Sequence, residues 1–459
     1  MTSLRVSCTG FAPVHFFQGL ARAATGVSLA AAFVVGYAAP VSAKPPVAAA
    51  QPLPLDSVGA FYAARQGAPL WLRSESGAAA NALVDLLTSA ELDGLNPGYY
   101  GVDALQKALA HASSGDRKAV ARADAMLSQA FVAYVNDLRR DPGLGILYVD
   151  AQLKPAPPRP RVLLDQAAKA PSLETYVRDL GWMNPVYGQL RHALQSKSYG
   201  SDHERELLEL NLQRARALPA GNGRFIVVNA AEQRLYAWDN RQVVDSMVVV
   251  VGKPKYPTPM MTAYIRFASL NPYWFVPPDL ASERIAPNVL KQGLKYLDQL
   301  GYQVMSDWAP NATVMDPKTI DWKGVADGRV EVFIRQLPGP HNSMGRMKFM
   351  LPNDVGVYLH DNPERELFSE ASRLYSGGCV RLEDAPRLGQ WLFGHPLEPE
   401  GAGTEAPVPL NPPVPVYITY LTAIPSGSSI AYFDDVYGRD KAALAKLQGS
   451  ASTVASAGK

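Results

Sequence analysis

The sequence predicts an α+β protein in two successive parts, a helical N-terminal half and a β-rich domain after it. Three observations carry that expectation. Apolar residues recur at the helical period before residue 218, the composition changes at Gly221-Asn222-Gly223, and short β-branched runs follow. A chain of 459 residues is also too long for one ordinary core. The formal charge is only +2, with no basic stripe or Arg-rich tail, so nothing in the charge pattern supports a nucleic-acid partner.

From the N-terminus, Arg5 and Arg22 are the only charges before Lys44, and the apolar run Val27–Ala39 leads into Pro40-Val41-Ser42-Ala43. A basic start, a short apolar core and small residues at the cleavage spacing describe a secretory signal peptide over 1–43, cut after Ala43. The rival reading is an uncleaved membrane anchor, because the uncharged stretch Ala23–Ala43 is just long enough to span. Cleavage removes Cys8, which leaves Cys379 as the one cysteine of the exported chain and excludes an internal disulfide.

Residues 44–55 (KPPVAAAQPLPL) read as a Pro/Ala-rich linker, and 56–220 as a helical domain. Its best helix is 124–140, where Leu127, Phe131, Tyr134, Val135 and Leu138 share one face before Asp141-Pro142-Gly143 ends it. Segments 78–92, 102–112, 172–180 and 203–217 predict shorter helices, and 152–161 an extended Pro-rich connection. The β-rich domain spans 221–440. Its predicted strands are Phe225–Val228, Leu235–Trp238, Val243–Val251, Val330–Ile334, Val355–Leu359 and Val416–Leu421, with a helical stretch inserted at 279–305. Residues 396–415 read as a Pro-rich insertion, and 441–459 as a short helix and a disordered tail.

The chemistry concentrates in 358–386, YLHDNPERELFSEASRLYSGGCVRLEDAP. A single cysteine in a β-rich domain is commonly a small core residue. No metal site is expected, because there is no second cysteine in the exported chain and no HExxH or HxxxH pair. GxSxG, P-loop and dinucleotide-binding motifs are absent as well. Against the core reading, Gly377 and Gly378 let the backbone approach a substrate and free N–H groups for a carbonyl oxygen. Arg381 and Arg373 make the surroundings electropositive, which favours a thiolate. A cysteine nucleophile needs a base. His360 closes an apolar strand, whereas His341 lies in a Pro/Gly turn and His395 follows the helix beyond the thiol. The residues alone leave Cys379 as either a structural thiol or a nucleophile paired with His360.

The same residues resemble the L,D-transpeptidases of bacterial cell-wall synthesis, with their YkuD-type catalytic domain. The family signature, a histidine followed by S/T-x-G-C-V/I-R, reads here as His360 and Ser376-Gly377-Gly378-Cys379-Val380-Arg381. Further similar blocks are Val228-Asn229, Gly252-Lys253 with Thr258-Pro259, and Asn271-Pro272-Tyr273-Trp274-Phe275-Val276-Pro277. RQLPGPHNSMGRMKFMLPNDVGVYLHDNP at 335–363, Tyr417 to Ala423 and Asp435–Asp440 complete the set. The helical part, with GLNPGYY at 94–100, is similar to the N-terminal scaffold of the long periplasmic subgroup.

The resemblance implies a β-sandwich catalytic domain, a helical lid inserted at about 279–330 and a periplasmic location. It implies Cys379 as nucleophile, His360 as general base and acid, and the Asp361 backbone carbonyl as the group orienting the imidazole. The N–H groups of Gly378 and Cys379 would hold the oxyanion. Arg381, Ser376, Gly377, Tyr358 and Trp274 are the candidate substrate contacts, with loop bracing, turn capping and core packing as their plainer roles. No cofactor is implied. The implied partners are peptidoglycan stem peptides as donor and acceptor, carbapenems as covalent inhibitors and other wall-synthesis enzymes. The chain departs from the pattern in two places. Gly377 replaces a histidine found in many relatives, and no peptidoglycan-binding module interrupts 185–220. A carboxypeptidase or D-amino-acid exchange at the same site, and a non-catalytic wall-binding protein, are the competing functions.

Overall fold

The computed structural model describes residues 56–309, 311–398 and 405–445. The signal-peptide, linker and Cys8 readings, and most of the C-terminal tail, lie outside them; a helical segment does begin at 439.

Eight helices build the N-terminal half: α1 (Val58–Ala64), α2 (Ala79–Thr88), α3 (Val102–Ala112), α4 (Arg117–Leu138), α5 (Pro160–Lys169), α6 (Leu173–Arg178), α7 (Pro185–Gln195) and α8 (Asp202–Ala215). Helix α4 starts where Asp116 caps the Ala119 N–H at 2.8 Å and presents Leu127, Phe131, Tyr134, Val135 and Leu138 to the core. Two buried carboxylates fix the irregular segments. Asp124 on α4 accepts the N–H groups of Leu70, Trp71 and Leu72 at 2.7–2.9 Å. Asp93 accepts the hydroxyls of Tyr134 and Tyr187 and pairs with Arg191 at 3.0 Å. Each satisfies groups that burial would otherwise leave unpaired, at a cost of about 1–3 kcal/mol apiece. Helices α1, α5 and α7 were not anticipated; α5 and α7 each begin at a proline, Pro160 and Pro185, that pre-sets the first helical turn.

The strands are β1 (Leu147–Tyr148), β2 (Arg224–Asn229), β3 (Arg234–Asp239), β4 (Gln242–Gly252), β5 (Met261–Leu270), β6 (Trp274–Val276), β7 (Tyr302–Met305), β8 (Phe333–Gln336), β9 (Met347–Met350), β10 (Leu359–His360), β11 (Leu374–Ser376), β12 (Val380–Leu382), β13 (Ala406–Thr419), β14 (Ala423–Ser426) and β15 (Ser429–Tyr432). The main sheet runs β1-β5-β13-β2-β3-β4-β12-β10-β9, and β9 pairs back onto β5. The two faces of the expected sandwich are therefore continuous, one sheet closed around an apolar core that includes Ile226, Val249, Ile265, Phe349, Leu359 and Val380.

Three sequence expectations change. The strand predicted at Val355–Leu359 shrinks to Leu359–His360, because the Asn353 side chain bonds the N–H groups of Val355 and Val357 and Gly356 adopts φ +66°. Residues 406–415 of the Pro-rich stretch are not an insertion but most of β13. Its prolines precede Val416–Thr419, the part that pairs with β2, so they lie where β13 has β5 on one side only. The insertion is wider and less helical than 279–330. Trp274–Met344 share a core of their own, with a three-stranded sheet β6-β8-β7 beside the helical turns at 278–299.

The two halves interlock. Strand β1 joins β5, Asp150 bonds the Tyr264 N–H and Arg266, and Arg214 on α8 forms a buried 2.6 Å pair with Asp440. Phe225, Val227, Trp238, Tyr417 and Leu421 pack into the same core as the helices. Arg241, in the β3–β4 turn, donates to the carbonyls of Gly181, Met183 and Ala220.

Candidate active site

The parallel pairing of β12 with β10 brings Cys379 and His360 to neighbouring positions. Leu359 stands opposite Val380 and His360 opposite Arg381, while the Val380 N–H donates to the Tyr358 carbonyl at 3.1 Å. Leu359 and Val380 are fully buried in the sheet core, so alternation turns Tyr358, His360, Cys379 and Arg381 to the other face, toward the insertion. Cys379 is the diagonal neighbour of His360 on that face. Its Sγ lies 3.5 Å from the Gly356 carbonyl, and the side chain is partly exposed.

The imidazole is 2% exposed and its Nδ1 sits 2.6 Å from the Asp361 carbonyl oxygen. A carbonyl only accepts, so Nδ1 carries the proton and Nε2 keeps the lone pair. Burial first, then the positive charges of Arg381 and Lys348, push the His360 pKa down to about 3. The imidazole is neutral at neutral pH. This environment disfavours a standing thiolate–imidazolium pair and suits a base that takes the thiol proton during attack. Asp361 contributes more than its carbonyl. Its carboxylate accepts the Arg346 N–H at 2.9 Å and fills the space a Cβ on Gly345 would need, so the 345–346 turn closes on it.

The Gly377-Gly378 loop departs from expectation at one atom. The Gly378 N–H, assigned to the oxyanion, donates to Ser376 Oγ at 3.1 Å, and that hydroxyl donates to the Cys379 carbonyl at 2.6 Å. Ser376 caps the turn, and the Gly378 N–H is spent on it. Gly378 has φ +120°, a conformation L side chains rarely adopt. A Cβ on Gly377 would lie 3.8 Å from Leu280 Cδ1, so the insertion reaches over this loop.

Thr258 was part of a similar block with no role attached, and it is the residue that anchors the loop. Its fully buried hydroxyl donates to the Gly378 carbonyl at 2.9 Å and accepts the Gly252 N–H at 2.8 Å. Gly252 admits no side chain, because a Cβ there would lie 2.0 Å from the Tyr256 carbonyl oxygen. From outside, Tyr437 donates to the Gly252 carbonyl and Arg439 to the Thr258 carbonyl at 2.8 Å. Asp435 holds that segment by accepting the Tyr420 hydroxyl and the Arg439 N–H. The Asp435–Asp440 block is thus a buttress for the thiol loop. A threonine placed just before a proline and after Gly-Lys was the only sequence signal for it.

Arg381 is turned away from open solvent. It bonds Glu364 Oε2 at 2.8 Å and Asn362 Oδ1 at 3.4 Å, which braces the segment after His360. Tyr358 lies beside the imidazole, with ring centroids 5.8 Å apart. Trp274 is a correction. It is 5% exposed within the insertion's core and packs on Tyr302, so it is not a substrate contact. Among the described residues no group of three or more His, Cys, Asp or Glu side chains is arranged to hold a metal ion. Nor is any described helix long and apolar enough to cross a membrane.

Comparison with known proteins finds similarity in both parts of the chain. The model of a scaffold domain matches residues 56–194, and that of the L,D-transpeptidase catalytic domain, YkuD, matches 223–414. A curated Haemophilus influenzae protein named "Putative L,D-transpeptidase" is 27% identical over 398 residues, covering 83% of this chain and 77% of its own length. An L,D-transpeptidase from Mycobacterium smegmatis is 16% identical with a TM-score of 0.21, the match covering 43% of this chain and 59% of that one. An LD-transpeptidase solved in complex with imipenem is 15% identical with a TM-score of 0.20, over 43% of this chain and 60% of its own. Behind a segment similar to a scaffold domain, residues 223–414 of this chain are thus similar to the YkuD family of L,D-transpeptidase catalytic domains.

Proposed function

We propose that the protein is a periplasmic cysteine transpeptidase that cross-links peptidoglycan stem peptides. The observation that carries this reading is the same-face placement of Cys379 and a neutral His360 whose Nδ1 is fixed by the Asp361 carbonyl. Sγ attacks the carbonyl of the bond joining the third stem residue to the terminal D-amino acid, and His360 takes the thiol proton. The tetrahedral oxygen turns to the Cys379 N–H, since Ser376 holds that of Gly378. Collapse breaks the C–N bond, His360 protonates the departing amine, and a thioester remains. An amine from a second stem then forms a new amide and releases the thiol, through a 3→3 or 1→3 link.

Export by the N-terminal signal gives the enzyme its substrate, and other wall-synthesis enzymes are its natural neighbours. Carbapenems fit as inhibitors because their strained amide acylates a thiol at the same position. The test is incubation with a disaccharide-tetrapeptide and tandem mass spectrometry of the products, with Cys379→Ala as control. A cross-linked dimer with released D-alanine is expected. Trimmed monomer alone indicates a carboxypeptidase, and equal behaviour of both proteins refutes the catalytic reading.

A further inference from the structure

Resting on that reading, we propose that Lys348 is a positioning residue for the site. With Arg381 it places one cation on each side of His360, and this frame makes the protonated imidazole an effective donor to the departing amine. Lys348 lay inside the 335–363 block with no role attached; the sheet register brings it to the imidazole. Lys348 on β9 stands opposite His360 on β10, and His360 stands opposite Arg381 on β12. Residues directly opposed across two strands share one face of the sheet. The next pair along, Asp361 with Met347, is joined by the Asp361 N–H to the Met347 carbonyl at 2.9 Å. Bonded and non-bonded pairs alternate in an antiparallel ladder, so Lys348 and His360 form a non-bonded pair, the closer kind, with Cβ atoms about 5 Å apart.

The ammonium is held in place. Lys348 is buried, pairs with Glu405 at 3.0 Å and donates to the Tyr273 carbonyl at 3.4 Å, at the base of the insertion. Ser269, which stands opposite Lys348 on β5, donates to the same carboxylate. Arg381 has its own partner in Glu364 at 2.8 Å. The imidazole's hydrogen bond goes to an uncharged acceptor, the Asp361 carbonyl, while the Asp361 carboxylate turns to the Arg346 N–H. Tyr358 and Cys379 share the face with it, and from the insertion Arg284 acts on Arg381. The charges that reach His360 from its two neighbouring strands are thus both positive. After burial, Arg381 and Lys348 are what hold its pKa down at about 3.

A histidine framed in this way is a weak base at rest and a strong acid once charged. Sγ forms its bond to the donor carbonyl carbon, and the thiol proton moves to Nε2, which leaves an imidazolium between two cations. That arrangement expels the proton. It passes from Nε2 to the nitrogen of the scissile bond as the C–N bond breaks, and the imidazole returns to neutral. Lys348 keeps its own proton throughout and acts only through His360. An amide nitrogen is a very poor anion and cannot leave without that proton, whereas an ester oxygen leaves with far less help. The frame therefore matters for amide donors and much less for ester donors carrying the same acyl group.

The experiment uses the mature full-length protein and two donors that leave the same acyl group on Cys379, a tetrapeptide ending in D-alanine and the matching depsipeptide ending in D-lactate. Acyl-enzyme formation is followed by mass. In Lys348→Met the rate ratio of amide to ester donor is expected to fall about three- to ten-fold, as a change of about one unit in donor strength allows. Lys348→Arg, which keeps the charge, should restore most of the ratio. The double variant Lys348→Met/Glu405→Gln leaves no unpaired charge buried and should show the same fall in smaller measure. Comparing two donors within one variant cancels any loss of folded enzyme. On the resting protein, NMR should read a raised His360 pKa in Lys348→Met and no rise in Glu405→Gln, which keeps the ammonium and removes its carboxylate. Loosened packing alone would move both variants the same way. An unchanged donor ratio or an unmoved His360 pKa in Lys348→Met overturns the proposal, and so does an equal rise in Glu405→Gln. Absence of any acyl-enzyme on wild-type Cys379 from either donor instead removes the transpeptidase reading on which the proton-donor role rests.

Discussion

Thr258→Val replaces one buried hydroxyl by a methyl of nearly the same volume, and the structure fixes what that removes. The Thr258 hydroxyl is the partner of both the Gly252 N–H and the Gly378 carbonyl, each in a buried residue. Leaving a buried polar group unpaired costs about 1–3 kcal/mol, so two together cost about 2–6 kcal/mol if no water enters. The loss falls on the loop that carries the thiol, because Gly378 precedes Cys379 directly. Urea unfolding of wild type, Thr258→Val and Thr258→Ser measures the first consequence, and the rate of carbapenem acylation followed by mass measures the second. Thr258→Ser keeps both hydrogen bonds and loses one methyl, a change of about 0.8 kcal/mol. Thr258→Val is expected to show the lower midpoint at unchanged m and a slower acylation, with Thr258→Ser close to wild type on both. A Thr258→Val protein within about 0.5 kcal/mol of wild type, acylated at the wild-type rate, refutes the anchoring role.

Because His360 is held neutral by burial and by Arg381, its folded pKa lies below its unfolded value. The unfolded chain then binds more protons, so this group's contribution to stability is complete above pH ~6.5 and is lost as the pH falls toward ~3. The stability difference between wild type and His360→Gln should shrink across that window, and wild-type acylation should show no acid limb between pH 5 and 8. Arg381→Gln removes a positive charge beside the imidazole and releases Glu364; the His360 pKa read by NMR should rise, and a fall counts against the assignment. Gly252→Ala drives a Cβ against the Tyr256 carbonyl and should abolish soluble folded protein, whereas Gly301→Ala, with its nearest contact at 3.7 Å, strains only a φ of +69° and should remain folded. A fragment beginning at residue 221 uncovers Phe225, Val227, Trp238, Tyr417 and Leu421 and should aggregate unless the helical half is supplied.

What the sequence showed follows from how local each signal is. The α4 stripe and the hairpin strands β2, β3 and β4 are written in consecutive residues, and His360 with the SGGCVR run names the thiol and its candidate base. Strand β5 is the longest strand that the short-run reading passed over, because Thr262, Arg266 and Ser269 break its apolar run, and its order comes from three partner strands, β1, β13 and β9. The prolines of β13 argued against a strand, and they were informative about something else: which side of that strand has no neighbour. At the site, what stayed hidden was second-hand support. Thr258 lies 120 residues before Gly378 and Tyr437 lies 185 residues after Gly252, yet each holds the other's turn by one hydrogen bond. The Gly378 N–H shows the same limit at atomic scale. Two glycines announce a flexible backbone near a thiol, but only the position of Ser376 Oγ decides where that N–H points. Motif residues in this chain name the atoms of the candidate site; long-range polar contacts decide how those atoms are held, and a chain read residue by residue does not contain them.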